Sequence, residues 1–157
     1  MNAPHLLALA TIGLLSTNFS CKQTDETPCP EGPVTLLPLT NWNYSPYCFA
    51  TPVVGAQAQT YVINSVADLQ ALNHCTTAPT IDFSHYTLLA GKTKTAACSS
   101  VDSQQVIQTC ANGYSTGFTY RVKLAAGACQ ASTEVMYCVL VPKIPAGTAV
   151  VFDVQLP

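Results

Sequence analysis

Charge is scarce in this sequence. Asp, Glu, Lys and Arg make up 9% of its 157 residues and give a formal net charge of −2, whereas they make up about 25% of an average soluble domain. The six Lys and Arg residues are scattered along the chain rather than clustered. Because nucleic-acid binding needs a basic patch or stripe, we expect no nucleic acid among the partners of this protein.

The residues that build metal and cofactor sites are few or badly spaced. The sequence has three histidines, no Cys-x-x-Cys pair and no Gly-rich phosphate-binding loop. Zinc sites need Cys or His ligands at short, regular spacings. We therefore predict no metal, no cofactor and no catalytic residues, and we expect a non-catalytic binding or accessory role.

A run long enough to cross a membrane is absent, but a shorter apolar run lies near the N-terminus. Residues 6–15 read LLALATIGLL. A spanning helix needs roughly 20 apolar residues, whereas a signal-peptide core has about 7–15. A short polar stretch follows, and then Cys21. We predict that residues 1–20 are a signal peptide.

The small residue Ser20 directly before Cys21 makes this N-terminus resemble that of bacterial lipoproteins. The resemblance implies that the signal is cut before Cys21 and that the sulfur carries a diacylglycerol. The protein would then be anchored by lipid in the bacterial cell envelope, at the outer membrane or the cell surface. The alternative is an ordinary secreted protein in which Cys21 forms a disulfide.

Eight cysteines in so short a chain indicate an oxidising compartment. If Cys21 carries lipid, seven remain, and we expect Cys29, which stands between two prolines, to be the one left over. The pairing of the other six is open, with 15 possible connectivities. We expect at least two disulfides and Cys98–Cys129 as the first pair, because both residues fall in loop-like sequence. The six candidates are Cys48, Cys75, Cys98, Cys110, Cys129 and Cys138.

The remaining sequence predicts a tether and one domain. Residues 21–35 are polar and proline-rich, which is typical of a flexible linker. Residues 36–157 then form a single β-rich domain. A short helix over about 65–73 is predicted by the N-cap residue Ser65 and by Asp68 three residues later.

Strand patterns fill most of that domain. Alternation is clearest over 117–125, where Phe118, Tyr120, Val122 and Leu124 share one face. Residues 134–141 are more apolar throughout, so we expect a central strand there. We predict a mainly β fold, an antiparallel sheet or β-sandwich with the one short helix packed on it. The other predicted strands are 61–63, 86–92, 104–110 and 150–156.

Aromatic residues concentrate between prolines at Trp42, Tyr44 and Tyr47. One interpretation is a stacking platform, which would make the protein a carbohydrate-binding module. The other is an irregular segment that covers one end of the core, since large aromatic residues mostly supply buried area.

The segment Asp82-Phe83-Ser84-His85 also has two interpretations. Asp82 and Ser84 can accept hydrogen bonds from backbone amides and form a turn. Alternatively, Asp82 and His85, with His74, form an acid–base or metal site, which would make the protein an envelope enzyme.

Three segments together resemble the PrcB C-terminal family, which is named after a subunit of a protease complex. They are Tyr61-Val62-Ile63-Asn64-Ser65, the run from Ile81 to Gly91, and Val141-Pro142-Lys143 in a later strand. The resemblance covers about residues 60–150. It implies an extracytoplasmic, β-rich domain with a partner-binding or accessory role, and it carries no catalytic residues with it.

Overall fold

The computed structural model describes residues 29–37, 39, 48–55, 58–75 and 78–157. The predicted signal peptide, Cys21, residues 21–28 of the tether and the aromatic trio Trp42, Tyr44 and Tyr47 lie outside these residues. The described part has seven strands and one helix: β1 (Gly32–Pro33), β2 (Gln59–Ile63), α1 (Val66–Leu72), β3 (Tyr86–Thr95), β4 (Ser99–Ala111), β5 (Tyr114–Ala126), β6 (Thr133–Pro142) and β7 (Val150–Gln155).

The strands form two sheets, which confirms the mainly β prediction. Sheet A has the order β1-β4-β5-β7, and sheet B has the order β2-β3-β6. All pairs are antiparallel except β5 and β7, which run parallel. Asn112 and Gly113, both with positive φ, make the tight turn between β4 and β5. That turn geometry suits the right-handed twist of a hairpin.

The main hydrophobic core lies between the two sheets. The alternation predicted for β5 is confirmed, because Phe118, Tyr120, Val122 and Leu124 are all buried while Arg121 and Lys123 are exposed. Residues of β6 with the same alternation meet them from sheet B. The fold is therefore a β-sandwich with an apolar interior and a polar outer face on sheet A.

Sheet B is covered on its other face as well. Helix α1 packs there with Leu69, and the segment around Phe49 packs beside it against Ile63 and Leu88. The predicted cap is present, since Ser65 Oγ accepts a hydrogen bond from the Asp68 amide at 3.1 Å. Cover on both faces explains why β3 is buried almost throughout.

The position expected for residues 134–141 was wrong. These residues form β6, which is the last strand of sheet B, and the central strand is β3. β6 follows the alternating pattern of a strand that packs on the main core with one face. Gly91 of β3 lies directly opposite Tyr137 of β6, and a Cβ at Gly91 would collide with the Tyr137 ring. A side chain larger than that of glycine therefore does not fit at this position of β3 unless the Tyr137 ring moves.

The end of the tether predicted over residues 21–35 is part of the fold. β1 pairs with β4, and the Val34 amide donates to the Val106 carbonyl at 2.8 Å. The Leu37 amide then donates to the Leu140 carbonyl at 2.9 Å. The chain thus passes from sheet A to sheet B and joins the sandwich on the β4–β6 side. Residues 29–35 belong to the domain because the sheets supply partners for their backbone groups.

A buried ion pair of sheet B binds the segment around Phe49, which covers the outer face of that sheet. Lys92 is only 1% exposed, and its Nζ lies 3.1 Å from Glu134 Oε2. The same Nζ donates to the Phe49 carbonyl at 3.0 Å, and the Val53 amide donates to Glu134 Oε1 at 2.8 Å. Burial alone would raise the pKa of Glu134, but the Val53 amide and the Lys92 ammonium lower it further than burial raises it.

Candidate functional site

Three disulfides define the class of this domain. The pairs are Cys29–Cys110, Cys48–Cys75 and Cys98–Cys129, with Cα–Cα distances of 6.0, 5.1 and 5.2 Å. These distances lie within the roughly 4.4–6.8 Å that a disulfide allows. Such bonds persist in oxidising compartments and are rare in the cytosol. The protein contains a disulfide-stabilised domain of the extracellular type.

The predicted pair Cys98–Cys129 and the expectation of at least two disulfides are confirmed, but the prediction for Cys29 was wrong. Cys29 is bonded to Cys110 because β1 places it beside the end of β4. Among the cysteines that the structure describes, Cys138 is the one that lies outside the three bonds. It is half-buried on β6, on the face opposite Val139.

The structure brings Asp82 and His85 together in a turn. His85 Nδ1 lies 2.8 Å from Asp82 Oδ2, and the Ser84 amide donates to Asp82 Oδ1 at 3.0 Å. The Tyr86 amide donates to the Asp82 carbonyl, so Asp82 stabilises the turn with both its side chain and its backbone. The hydroxyl of Ser84, the imidazole of His85 and the amide of Ser84 lower the pKa of Asp82 from 3.8 to about 2.

These contacts are those of a capped turn rather than of a catalytic triad. In a triad the histidine faces the carboxylate with one ring nitrogen and the nucleophile with the other. Here Asp82 and Ser84 both contact the same nitrogen, Nδ1 of His85. The His85 side chain is 73% exposed. In the described residues no group of three or more His, Cys, Asp and Glu is placed to hold a metal.

One motif was missed at the sequence level. Gly113-Tyr114-Ser115-Thr116-Gly117 has the Gly-x-Ser-x-Gly spacing of a nucleophile elbow. That elbow requires a strand-to-helix turn with the serine exposed, whereas Ser115 lies at the start of β5 in a β-hairpin. Its Oγ is buried and has no hydrogen-bond partner among the described residues. The spacing is therefore present without the geometry that activates a serine.

The outer face of sheet A carries a group of exposed polar and charged side chains. Arg121 of β5 faces outward between Gln105 of β4 and Asp153 of β7, which are its direct cross-strand neighbours. The Arg121 Nε lies 3.1 Å from Asp153 Oδ2. Lys123, two residues along β5, lies 3.2 Å from Asp102.

A β-bulge shapes one end of this face. The pairing of β4 with β5 shifts between Val101 and Ser103, so Asp102 is the extra residue. Bulges of this kind re-aim side chains and increase the local twist. Asp102 and Ser103 are consecutive and are both exposed, which a regular strand with one buried face would not allow. The bulge thus brings the Asp102 carboxylate within reach of Lys123.

An open cleft of about 450 Å³ lies on this face. We call it the sheet A cleft. Its lining residues come from three neighbouring strands and are all polar: Ser103, Gln104, Gln105, Arg121, Lys123 and Gln155. A second cleft of similar volume lies at the end of the β3–β4 hairpin, where the only charged side chain is Lys94 and most others are small or apolar. The sheet A cleft therefore offers more groups for specific recognition.

Two further findings complete the description. No helix in the described ranges is long and apolar enough to cross a membrane. Comparisons with protein-family models, with curated proteins and with solved structures found no match to this chain.

Proposed function

We propose that the protein is a lipid-anchored domain of the bacterial cell envelope that binds a partner through the outer face of sheet A and performs no catalysis. The observation that carries the binding role is the difference in cover between the two sheets. Sheet B is covered on both faces, whereas the outer face of sheet A holds two ion pairs, Arg121–Asp153 and Lys123–Asp102, side by side at the surface.

The anchor is proposed from the apolar run and Cys21. Three disulfides are consistent with an extracytoplasmic location. Lipid on Cys21 and three disulfides would account for seven of the eight cysteines and leave Cys138 outside both. A relationship to the PrcB C-terminal family stays part of the proposal and would agree with a partner-binding role.

The anchor is tested by detergent phase partition. One acyl chain binds a membrane only marginally, while two or more hold firmly. Wild-type protein should therefore enter the detergent phase, and Cys21→Ser protein should move to the aqueous phase. Wild-type protein that already partitions into water would contradict the anchor.

The binding face is tested by site-specific photo-crosslinking in intact bacteria that express the chain. A photoreactive residue at Gln105, on the outer face of sheet A, should form adducts of defined mass. The matched control is the same residue at Gln70, which is exposed on α1 over sheet B. Equal adducts from both positions, or none from Gln105, would contradict the assignment of this face.

The rival envelope enzyme using Asp82 and His85 makes a different prediction. His85→Ala would abolish turnover of its substrate and leave the melting curve unchanged. A turn residue changes only stability, by a small amount, because His85 is mostly exposed. The carbohydrate-binding alternative at Trp42, Tyr44 and Tyr47 lies outside the described residues and stays a prediction.

A further inference from the structure

The sheet A cleft combines positive charge with neutral hydrogen-bonding groups. Arg121 and Lys123 are two residues apart on β5, so their side chains lie on the same face of the strand, about 7 Å apart. Gln105 lies on one side of them and Gln155 on the other. Ser103 adds a hydroxyl at the bulged end.

Arg121 and Lys123 each form one ion pair, and both keep further N–H donors for a ligand. Asp153 accepts from Arg121 through Nε, and no other hydrogen bond of this guanidinium to a described residue is present. Its two Nη groups therefore keep the fork that binds a carboxylate with two parallel hydrogen bonds. Lys123 has three donors, and its one contact within the described chain is with Asp102.

The amide groups of the cleft fit hydroxyl groups. A glutamine side chain offers both a donor and an acceptor, which matches a hydroxyl that also donates and accepts. Gln104 is not one of these groups, because it stands opposite the buried Val122 and its Oε1 accepts from Tyr120 Oη on the core side of sheet A. The amides that face the cleft are those of Gln105 and Gln155, which are the cross-strand neighbours of Arg121 and Lys123.

The balance of charge selects among anions. Arg121 and Lys123 contribute two positive charges, and Asp102 and Asp153 contribute two negative ones, so the cleft region is close to neutral overall. A dense polyanion such as a chain of phosphates would be repelled by the two carboxylates at close range. A ligand with single, spaced carboxylates and many hydroxyls places only one negative charge beside the Nη groups of Arg121, so it meets less of this repulsion.

We infer that the sheet A cleft binds an acidic oligosaccharide, one that carries carboxylates of the uronic-acid type among its hydroxyl groups. This inference rests on the proposed function and specifies the chemistry of the partner. The cleft volume of about 450 Å³ lies within the range of roughly 300–1,000 Å³ found for small-ligand sites. The carboxylate pairs with Arg121, and the hydroxyls bond to Ser103 and the glutamine amides.

The experiment is a titration of the full chain with trigalacturonate, followed by calorimetry and by amide chemical shifts. Maltotriose serves as the neutral trisaccharide and inorganic phosphate as the other anion. We expect binding of trigalacturonate alone, weaker at high salt, with shifts confined to β4, β5 and β7. Arg121→Gln should weaken binding about tenfold, since it removes a charge-assisted bidentate contact.

The matched control is Lys94→Gln, which removes an exposed positive charge from sheet B and should leave binding unchanged. Both substitutions change only an exposed charge, so both variants should keep the wild-type melting temperature. Gln105→Ala gives a second, uncharged test of the same cleft. Equal binding of maltotriose, binding of phosphate only, no binding at all, or no loss in Arg121→Gln would overturn the inference.

Failure of this inference is distinguishable from failure of the proposed function. The protein could enter the detergent phase and crosslink through Gln105 without binding trigalacturonate. That outcome would support the proposed function and contradict only the assigned class of ligand. Protein that neither enters the detergent phase nor crosslinks through Gln105 would contradict the proposed function as well.

Discussion

Sheet B and sheet A are both built mainly from long strands, yet they are covered differently. Sheet B lies between two layers, sheet A on one side and α1 with the segment around Phe49 on the other. Sheet A has one face in the core and one face in contact with solvent. Residues that stabilise the fold and residues that can bind a partner therefore lie on different faces, because substitutions on the outer face of sheet A leave the core packing intact.

The two sheets also use their polar groups differently. Sheet B contains Lys92, which is buried and satisfied by Glu134 and by the Phe49 carbonyl. Sheet A places Arg121 and Lys123 at the surface, with side chains 48% and 61% exposed. Buried ion pairs are costly when broken, whereas exposed ones contribute about 0–1 kcal/mol. The same type of contact therefore holds the fold together in one sheet and remains available to a ligand in the other.

The largest expected effect comes from the disulfides that join each sheet to its neighbouring segment. Cys29–Cys110 closes a loop with a sequence separation of 81 on sheet A, and Cys48–Cys75 closes one of 27 beside sheet B. In the chain-entropy treatment, paired Cys→Ala substitutions should cost about 4.5 kcal/mol for the first and about 3.5 kcal/mol for the second. Denaturant unfolding measures both, and the reverse order would show that local packing outweighs loop length.

The next effect compares the two kinds of strand face directly. Leu88→Ala on sheet B removes a fully buried side chain from the second core and should cost about 3 kcal/mol. Arg121→Ala on the outer face of sheet A should cost no more than about 0.5 kcal/mol. Thermal unfolding of the two variants checks the contrast. A similar loss for both would mean that the outer face of sheet A supports the fold.

The buried ion pair should show a smaller but specific effect. Lys92→Met leaves the Glu134 carboxylate, whose side chain is 18% exposed, without its cation, and should cost about 2 kcal/mol. Adding Glu134→Gln should restore part of this loss, because an amide needs no counter-charge and still accepts from the Val53 amide. A double-mutant cycle measures the coupling, and additive losses would contradict an interaction between the two groups.

The pair should also make sheet B sensitive to acid. The folded-state pKa of Glu134 lies below its usual value of 4.5. The stabilisation is therefore present above that usual value and is lost as the pH falls through the lower, folded pKa. In Lys92→Met this part of the pH dependence should be reduced.

The smallest effect lies in the turn before β3. The pKa of Asp82 is lowered to about 2, first by the hydroxyl of Ser84 and then by His85. A lowered pKa stabilises the fold above the ordinary value of 3.8, and this contribution disappears as the pH falls toward about 2. Carbon-detected NMR titration of the Asp82 carboxyl should give a midpoint near 2 in wild type and a higher one in Ser84→Ala. An ordinary midpoint in wild type would contradict the capped turn.

Local patterns were sufficient to predict several elements. Ser65 and Asp68 marked the start of α1, and Asn73 ends it by donating its backbone N–H to the Leu69 carbonyl. The alternation from Phe118 to Leu124 predicted which face of β5 is buried. Cys98 and Cys129 were paired correctly because each follows a short loop-like stretch at the end of a strand. For α1 and β5 the deciding interactions lie within a few residues of each other or follow a two-residue repeat, whereas Cys98 and Cys129 are separated by 31 residues and only their loop-like surroundings are local.

Other features depend on contacts between distant residues and could not be predicted. Cys29 was expected to stay unbonded because its neighbours are prolines, but β1 pairs with β4 and brings it to Cys110. Lys92 is a charged residue that would ordinarily lie at the surface, and it is buried here under the segment around Phe49, whose carbonyl accepts from its Nζ. The sheet A cleft joins residues of β4, β5 and β7 that no spacing rule connects.

By itself, the sequence determined the strand and helix types, the exposed and buried faces of β5, and the oxidising environment, because each depends on residue type and short-range periodicity. Only the tertiary structure decided which sheet is covered twice, which of the described cysteines stays outside the three disulfides, and where two cations and two glutamines meet on one face. Those outcomes depend on the pairing of strands far apart in the chain. That pairing is selected by the burial of both cores together, which no local pattern specifies.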